Sequence, residues 1–385
     1  MKKGSSLKFN HLKKAMFLVS VFLTVFACSS GTKKGSDIEG PETVLKLSPS
    51  ENNPRNSEGD FVNLKDGRIL YIYSRFSGDS SSDHAPAHLA ARYSSDGGKT
   101  WTREDETVVP NEGGRNVMSV SLLRLQNGDI ALFYGRKNSL TDCTPQMRIS
   151  KDEGKTWSEP ISVITDKSGY FVLNNDRVIQ LESGRILVPV ALHNNNGDDF
   201  QEKGELFCYY SDDNGKTWAS SAKVPDTTDL ITQEPGLIEL NDGRVMMFIR
   251  ATGGFQQLSY SSDKGETWSH IEASNIPSPL SPASIEKIPG TGDWLLVWNN
   301  NDGSNPEIKG KRTPLTTAIS KDEGKTWDYI KNIHIDPDGW YCYIAIHFVD
   351  QDNLLLSYCA GSRSQGTGLS VTDISKLSRN WIYNQ

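Results

Sequence analysis

Three arginines, far apart in the sequence, are candidates to act together. Arg55 sits in NNPRNSEGD, Arg250 ends VMMFIR, and Arg312 lies in KGKRTPLTTAIS. A guanidinium is a flat fork of N–H donors that matches a carboxylate. Three of them brought together would clamp one carboxylate, whereas any one alone reads equally as a solvated surface residue. Asp83 lies in the polar loop SGDSSSDHAPAHLAARYSSD, with Asp79 close by. An acid on such a loop can approach a substrate oxygen and exclude water, although a plain solvated loop acid has the same signature. Glu234 precedes Arg250 by sixteen residues. Tyr341 and Tyr343 share the segment DGWYCYIAIHF, where either can be a working phenol or a core aromatic.

Further polar residues interrupt apolar runs. Glu58 follows Arg55, and Arg75 ends LKDGRILYIYSR. Asn175, Asp176 and Arg177 occur in LNNDRVIQ, His193 in VALHNNN, Arg115 and Asn116 in EGGRNVMS, and Asp142 in SLTDCTPQM. They are candidates to line a pocket, or members of turn networks. His84, His88 and His193 do not fall at metal-ligand spacing, so neither a metal nor a cofactor is expected.

The elements that must position these residues are repetitive. SKDEGKTW occurs at Ser150–Trp157 and again at Ser320–Trp327. Looser copies are SSDGGKTW (Ser94–Trp101), SDDNGKTW (Ser211–Trp218) and SSDKGETW (Ser261–Trp268). The Asp can accept N–H bonds from its own turn, the Gly relieves a hindered backbone, and the Trp anchors the turn to a core. A calcium loop would need more oxygen ligands and a distal Glu. Alternating with the octapeptides are six turn-plus-strand runs: Leu64–Arg75, Leu125–Arg136, Leu181–Leu192, Leu240–Ala251, Pro289–Asn300 and Val349–Ala360. Asp-Gly, Asn-Gly and Ser-Gly steps before short β-branched and aromatic runs are hairpin signals. The repeat of about 50–60 residues is that of a four-stranded blade. The fold expected is all-β: a six-bladed β-propeller of four-stranded antiparallel blades, completed by a strand near TVLKLSP or GLSVTDI.

The five octapeptides, alternating with DGRIL-type strands, resemble the Asp-box (BNR) repeats of the sialidase (neuraminidase) family over about Leu47 to Ile374. The resemblance implies outer hairpin turns remote from the active site. It also implies roles for the residues above. Arg55, Arg250 and Arg312 resemble the arginine triad that holds the sugar acid's carboxylate. Asp83 resembles the general acid/base. Tyr341, with Tyr343 as the alternative, resembles the tyrosine nucleophile, and Glu234 resembles its proton acceptor. Arg75, Arg177 and His193 are added as substrate-binding candidates. A neutral phenol suits this chemistry, because a carboxylate nucleophile would be repelled by the substrate's own carboxylate. The implied reaction is retaining release of a terminal sialic acid or related 2-keto-3-deoxy sugar acid from a glycan. Other readings are a hydrolase of another sugar and a non-catalytic glycan-binding propeller. Two departures stand out. The first arginine lies in NPRNSE rather than in a Phe/Tyr-Arg-Ile-Pro motif, and LLLSYCAG lacks the acid that braces it in the family, leaving Glu58 as the substitute.

The 385 residues carry a net charge of −7 and no cluster of basic residues, which argues against a nucleic-acid partner. A basic start and the apolar run Ala15–Ala27 read as an export signal ending at Cys28 in a lipobox-like Val-Phe-Ala-Cys. The organisation expected is a lipoprotein signal peptide at 1–27, a polar tether at 28–42 and the propeller at 43–385. Cys28 would carry the lipid, giving an exported protein held to a membrane by that lipid alone. Cys143, Cys208, Cys342 and Cys359 match no zinc pattern and allow three pairings or buried free thiols.

Overall fold

The computed structural model describes residues 40–195 and 199–384. Cys28, the signal peptide and most of the tether lie outside the described residues. The six apolar runs form the strands Ile69–Phe76, Ile130–Lys137, Ile186–Asn195, Val245–Ala251, Trp294–Trp298 and Asn353–Ser362. Each is the second strand of an antiparallel hairpin, and each is apolar on both faces because sheets pack on either side of it. Among the described residues the regular secondary structure is β-strand, apart from one five-residue helix at Arg379–Tyr383.

The strands form four four-stranded sheets and one of nine strands. The first sheet runs in chain order through Asn56–Asn63, Ile69–Phe76, Ala87–Ser94 and Glu106–Val109. The nine-stranded sheet spans Asn116–Arg124 to Ala219–Ser220. Its two antiparallel halves meet at one parallel pairing, Tyr170 with Cys143. Two further sheets begin at Thr232–Glu239 and Ser284–Lys287. In the last sheet, Gly339–Phe348, Asn353–Ser362 and Thr372–Ser378 are completed by the N-terminal strand Glu42–Leu47, paired with Thr372–Ser378. Apolar clusters lie between consecutive sheets, and one joins Tyr71 and Phe61 of the first to Ala345, Leu355 and Ile374 of the last.

The octapeptides behave as turns. In the first, Ser94 Oγ accepts from Gly98 N (2.9 Å), while Asp96 accepts from Thr100 N (2.9 Å) and Thr100 Oγ1 (2.7 Å). The same bonds recur in the other four copies. Gly98 has φ +83°, and a Cβ there would lie 2.8 Å from Leu355 of the last sheet. The glycine therefore lets the turn press on its neighbour.

A second device recurs in four strands that each begin a hairpin. Pairing slips by one residue between Ser57 and Asp60, Met118 and Ser121, Gln233 and Gly236, and Cys342 and Ala345. Each slip contains a non-glycine residue at positive φ: Glu58 (54°), Ser119 (64°), Glu234 (44°) and Tyr343 (56°). A bulge of this kind re-aims one side chain, at a backbone cost of order 1–3 kcal/mol. Gly59 makes the first one fit, since a Cβ there would be 2.3 Å from the Tyr71 hydroxyl. Two of these strands are tied together by Asn175, whose amide donates to Gly59 O (3.1 Å) and Tyr343 O (3.2 Å).

Candidate active site

The four bulged residues line one cavity of about 600 Å³. Glu234 and Tyr343 meet there: the phenol donates to Glu234 Oε1 at 3.4 Å. Arg250 Nη1 lies 2.7 Å from Glu234 Oε2. Arg312 lies over the Tyr343 and Trp340 rings, 5.5 and 5.3 Å from their centroids. Its Nη1 is buried without a hydrogen-bond partner among the described residues. Both guanidiniums line the cavity, so an anion entering it meets one donor already unpartnered.

Electrostatics divides the pair. Burial would raise the Glu234 carboxyl, but Arg250 and Arg312 more than offset it and hold it below its ordinary value. Burial and the Glu234 charge push the Tyr343 phenol well up. The result is a neutral phenol hydrogen-bonded to an ionised carboxylate, which is the arrangement of a nucleophile with its base.

Asp83 lies on the loop preceding Ala87–Ser94, its side chain about half exposed on the cavity. Its Oδ1 is 2.5 Å from Arg55 Nη1. Burial opposes ionisation, but Arg55 and Lys137 keep this carboxyl below the usual range. Arg55 itself is 1% exposed and does not line the cavity. It is enclosed by Ser57 Oγ (2.9 Å), Glu58 (3.2 Å) and Asp83, and lies over Phe76. Glu58 thus braces Arg55 from the strand that follows it, and burial raises its carboxyl despite that contact. Of the three arginines, two face the cavity and the third sits behind two acids.

Four expected site residues are placed elsewhere. Tyr341 does not line the cavity. It stacks on His334 (4.8 Å, 11°) in the apolar cluster with Ile344 and Leu354. In a regular strand residues 341 and 343 would share a face; the bulge at Tyr343 breaks that alternation and turns only the second tyrosine inward. Arg75 points to the outer strand pair, where its Nε is 2.9 Å from Asp105. Arg177 is buried in structural bonds to Ser284 Oγ (3.1 Å) and Ala283 O (2.7 Å), tying two sheets together. Asp79 is exposed on its loop, off the cavity. His193 does line the cavity, stacked on Phe200 at 4.7 Å, with Nδ1 2.8 Å from Gln201 O. The four internal cysteines are buried free thiols.

The cavity also contains residues that sequence reasoning missed. Lys137, Tyr170, Met118 and the exposed Leu140 and Phe200 also line it. Lys137 ends the run IALFYGRK, where a cation reads as an ordinary solvated strand end.

The BNR repeat-like domain family matches residues 104–360, and the BNR/Asp-box repeat matches residues 92–103. A sialidase of Bacteroides fragilis is 24% identical over 331 residues, covering 77% of this chain and 58% of that protein. A sialidase of Paraclostridium sordellii is 31% identical over 232 residues, covering 53% and 55%. The chain thus spans somewhat over half the length of these two relatives. Among solved structures, a leech intramolecular trans-sialidase superposes with a TM-score of 0.70 at 15% identity, covering 89% of this chain and 71% of that one. The chain belongs to the BNR repeat-like domain family and, with its Asp-box turns, to the sialidase family.

Proposed function

We propose that the chain is a six-bladed β-propeller and an exo-acting glycoside hydrolase that releases terminal sialic acid, or a related 2-keto-3-deoxy sugar acid, from glycans. The four four-stranded sheets, and a nine-stranded sheet whose halves meet at one parallel pairing, support the six-blade reading. The relatives named sialidases support the substrate class. The observation that carries the function is the Tyr343–Glu234 hydrogen bond flanked by Arg250 and Arg312.

In this reading the substrate carboxylate is held by Arg250 and Arg312 and displaces Asp83 from Arg55. Asp83 then loses Arg55, the main cation that keeps its carboxyl low, and gains a neighbouring negative charge. Both changes raise its pKa and load it with a proton. Tyr343 Oη attacks the anomeric carbon while its proton passes to Glu234, and Asp83 protonates the departing oxygen. Water, deprotonated by Asp83, then cleaves the tyrosyl-linked intermediate with net retention. The protein works as an exported lipoprotein anchored through Cys28, with the glycan as its only other partner.

The test is sugar-acid release from sialyl-lactose, combined with trapping by a 3-fluorinated sialosyl fluoride. The expected result is a mass adduct on the peptide containing Tyr343. Absence of release from any 2-keto-3-deoxy acid glycoside, or an adduct on another residue, overturns the reading.

A further inference from the structure

Lys137 is an unusual residue for its position. It is 3% exposed, lines the cavity, and forms no ion pair with an acid among the described residues. Burying an ammonium without a counter-ion is costly, so its contacts matter. Nζ donates to the main-chain carbonyl of Asp83 at 2.7 Å, touches Met118 Sδ at 3.5 Å, and lies 5.5 Å from the Tyr170 ring centroid. The same Asp83 carbonyl accepts a second bond, from Asn116 Nδ2 at 2.9 Å. Asn116 also holds Ala85 O at 2.8 Å. Both donors come from the adjoining sheet, so the loop carrying Asp83 is fastened from outside its own hairpin.

The Asp83 side chain, by contrast, is held by Arg55 alone among the described residues. A substrate carboxylate that takes over Arg55 leaves that side chain without its partner. From then on the position of the carboxyl depends on the main-chain anchors. We propose that Lys137 is a positioning residue for Asp83: with Asn116 it fixes the Asp83 backbone so that the released carboxyl stays aimed at the leaving-group oxygen. The inference rests on the reading of Asp83 as general acid.

A residue that works through the general acid matters most when the leaving group needs a proton. The experiment compares Lys137→Met, Lys137→Arg, Asn116→Ala and Asp83→Ala in the full chain. The substrates are sialyl-lactose, with a basic sugar alkoxide as leaving group, and an aryl sialoside with an acidic phenol. For Lys137→Met the expected result is a kcat loss of about 100-fold on sialyl-lactose with KM little changed. On the aryl sialoside the loss stays below about 10-fold. Lys137→Arg restores part of kcat on sialyl-lactose. Asn116→Ala, which removes the other donor to the same carbonyl, shows the same split and serves if Lys137→Met does not fold. Equal losses on both substrates for the folded variants, or a loss confined to KM, overturn the proposal. The Asp83→Ala control separates the two levels. If it shows no leaving-group dependence, the general-acid reading itself fails; if it shows the dependence and neither anchor variant does, only the positioning role fails.

Discussion

Arg55 Nη1 and Asp83 Oδ1 are 2.5 Å apart, with Glu58 on the same guanidinium at 3.2 Å. Asp83 therefore occupies a donor that a substrate carboxylate would need. Removing its charge frees that donor. Asp83→Asn is expected to bind a free sugar acid about 5-fold more tightly by calorimetry. The same variant loses roughly 10²–10⁴ in kcat on a natural glycoside. Unchanged or weaker binding of the acid would show that Arg55 takes no part in holding it.

Tyr341 and Tyr343 are two residues apart and have opposite environments. Tyr343→Phe removes the phenol bonded to Glu234 and should abolish turnover by on the order of 10³-fold or more, as loss of a nucleophile does. Tyr341→Phe keeps the stacked ring on His334 and should retain activity. Tyr341→Ala leaves a hole in the core and should cost about 3–5 kcal/mol in denaturant titrations. If the two Phe variants behave in the reverse order, the assignment from the bulge is wrong.

Repetition and register were not equally legible. Five octapeptides and six turn-plus-strand runs are local signals, and each is a turn or a strand in the structure. The register inside the first strand of a hairpin is not local. A strict alternation puts Tyr341 and Tyr343 on one face, and only the slipped pairing reveals that they part. Positive-φ Glu, Ser and Tyr carry no mark in a sequence, because αL sites are usually announced by Gly or Asn. Arg75 and Arg177 had the right residue type, but their directions were set by Asp105 and Ser284, distant in the sequence. Lys137 was invisible for the converse reason, since nothing in YGRK shows that a neighbouring loop will cover it.

The Asp-box acids should matter for stability and not for turnover. Asp213 accepts from the backbones of Lys216 and Thr217 and from the Thr217 hydroxyl, which holds its carboxyl near about 2 against the opposing effect of burial. None of these residues lines the cavity. Asp213→Ala should lower stability by roughly 1 kcal/mol, the net value of such bonds, with kcat/KM unchanged. A large loss of kcat/KM in a folded variant would contradict the architectural role.

A second cavity of about 470 Å³ is bordered by Asp60, Asp176 and Glu286. Burial raises all three carboxyls, Asp176 to about 7 and Glu286 to about 8; the Asp176 charge adds to the rise at Asp60 and Glu286, and Arg177 partly opposes it at Asp176 and Glu286. In the unfolded chain such acids titrate near about 4. Their folded-state values lie higher, so the folded protein binds more protons between about pH 4 and 8. The stability linked to these protons is complete below that window and is lost as pH rises through 7 and 8. Removing one charge should relieve the loss. Glu286→Gln is therefore expected to raise Tm at pH 8 by roughly 2 °C relative to the unaltered chain, and to change it little at pH 5. Thermal melts at the two pH values check this. An equal shift at both would mean that Glu286 acts through packing rather than through charge, and a lower Tm at pH 8 would mean that its ionised form supports the fold.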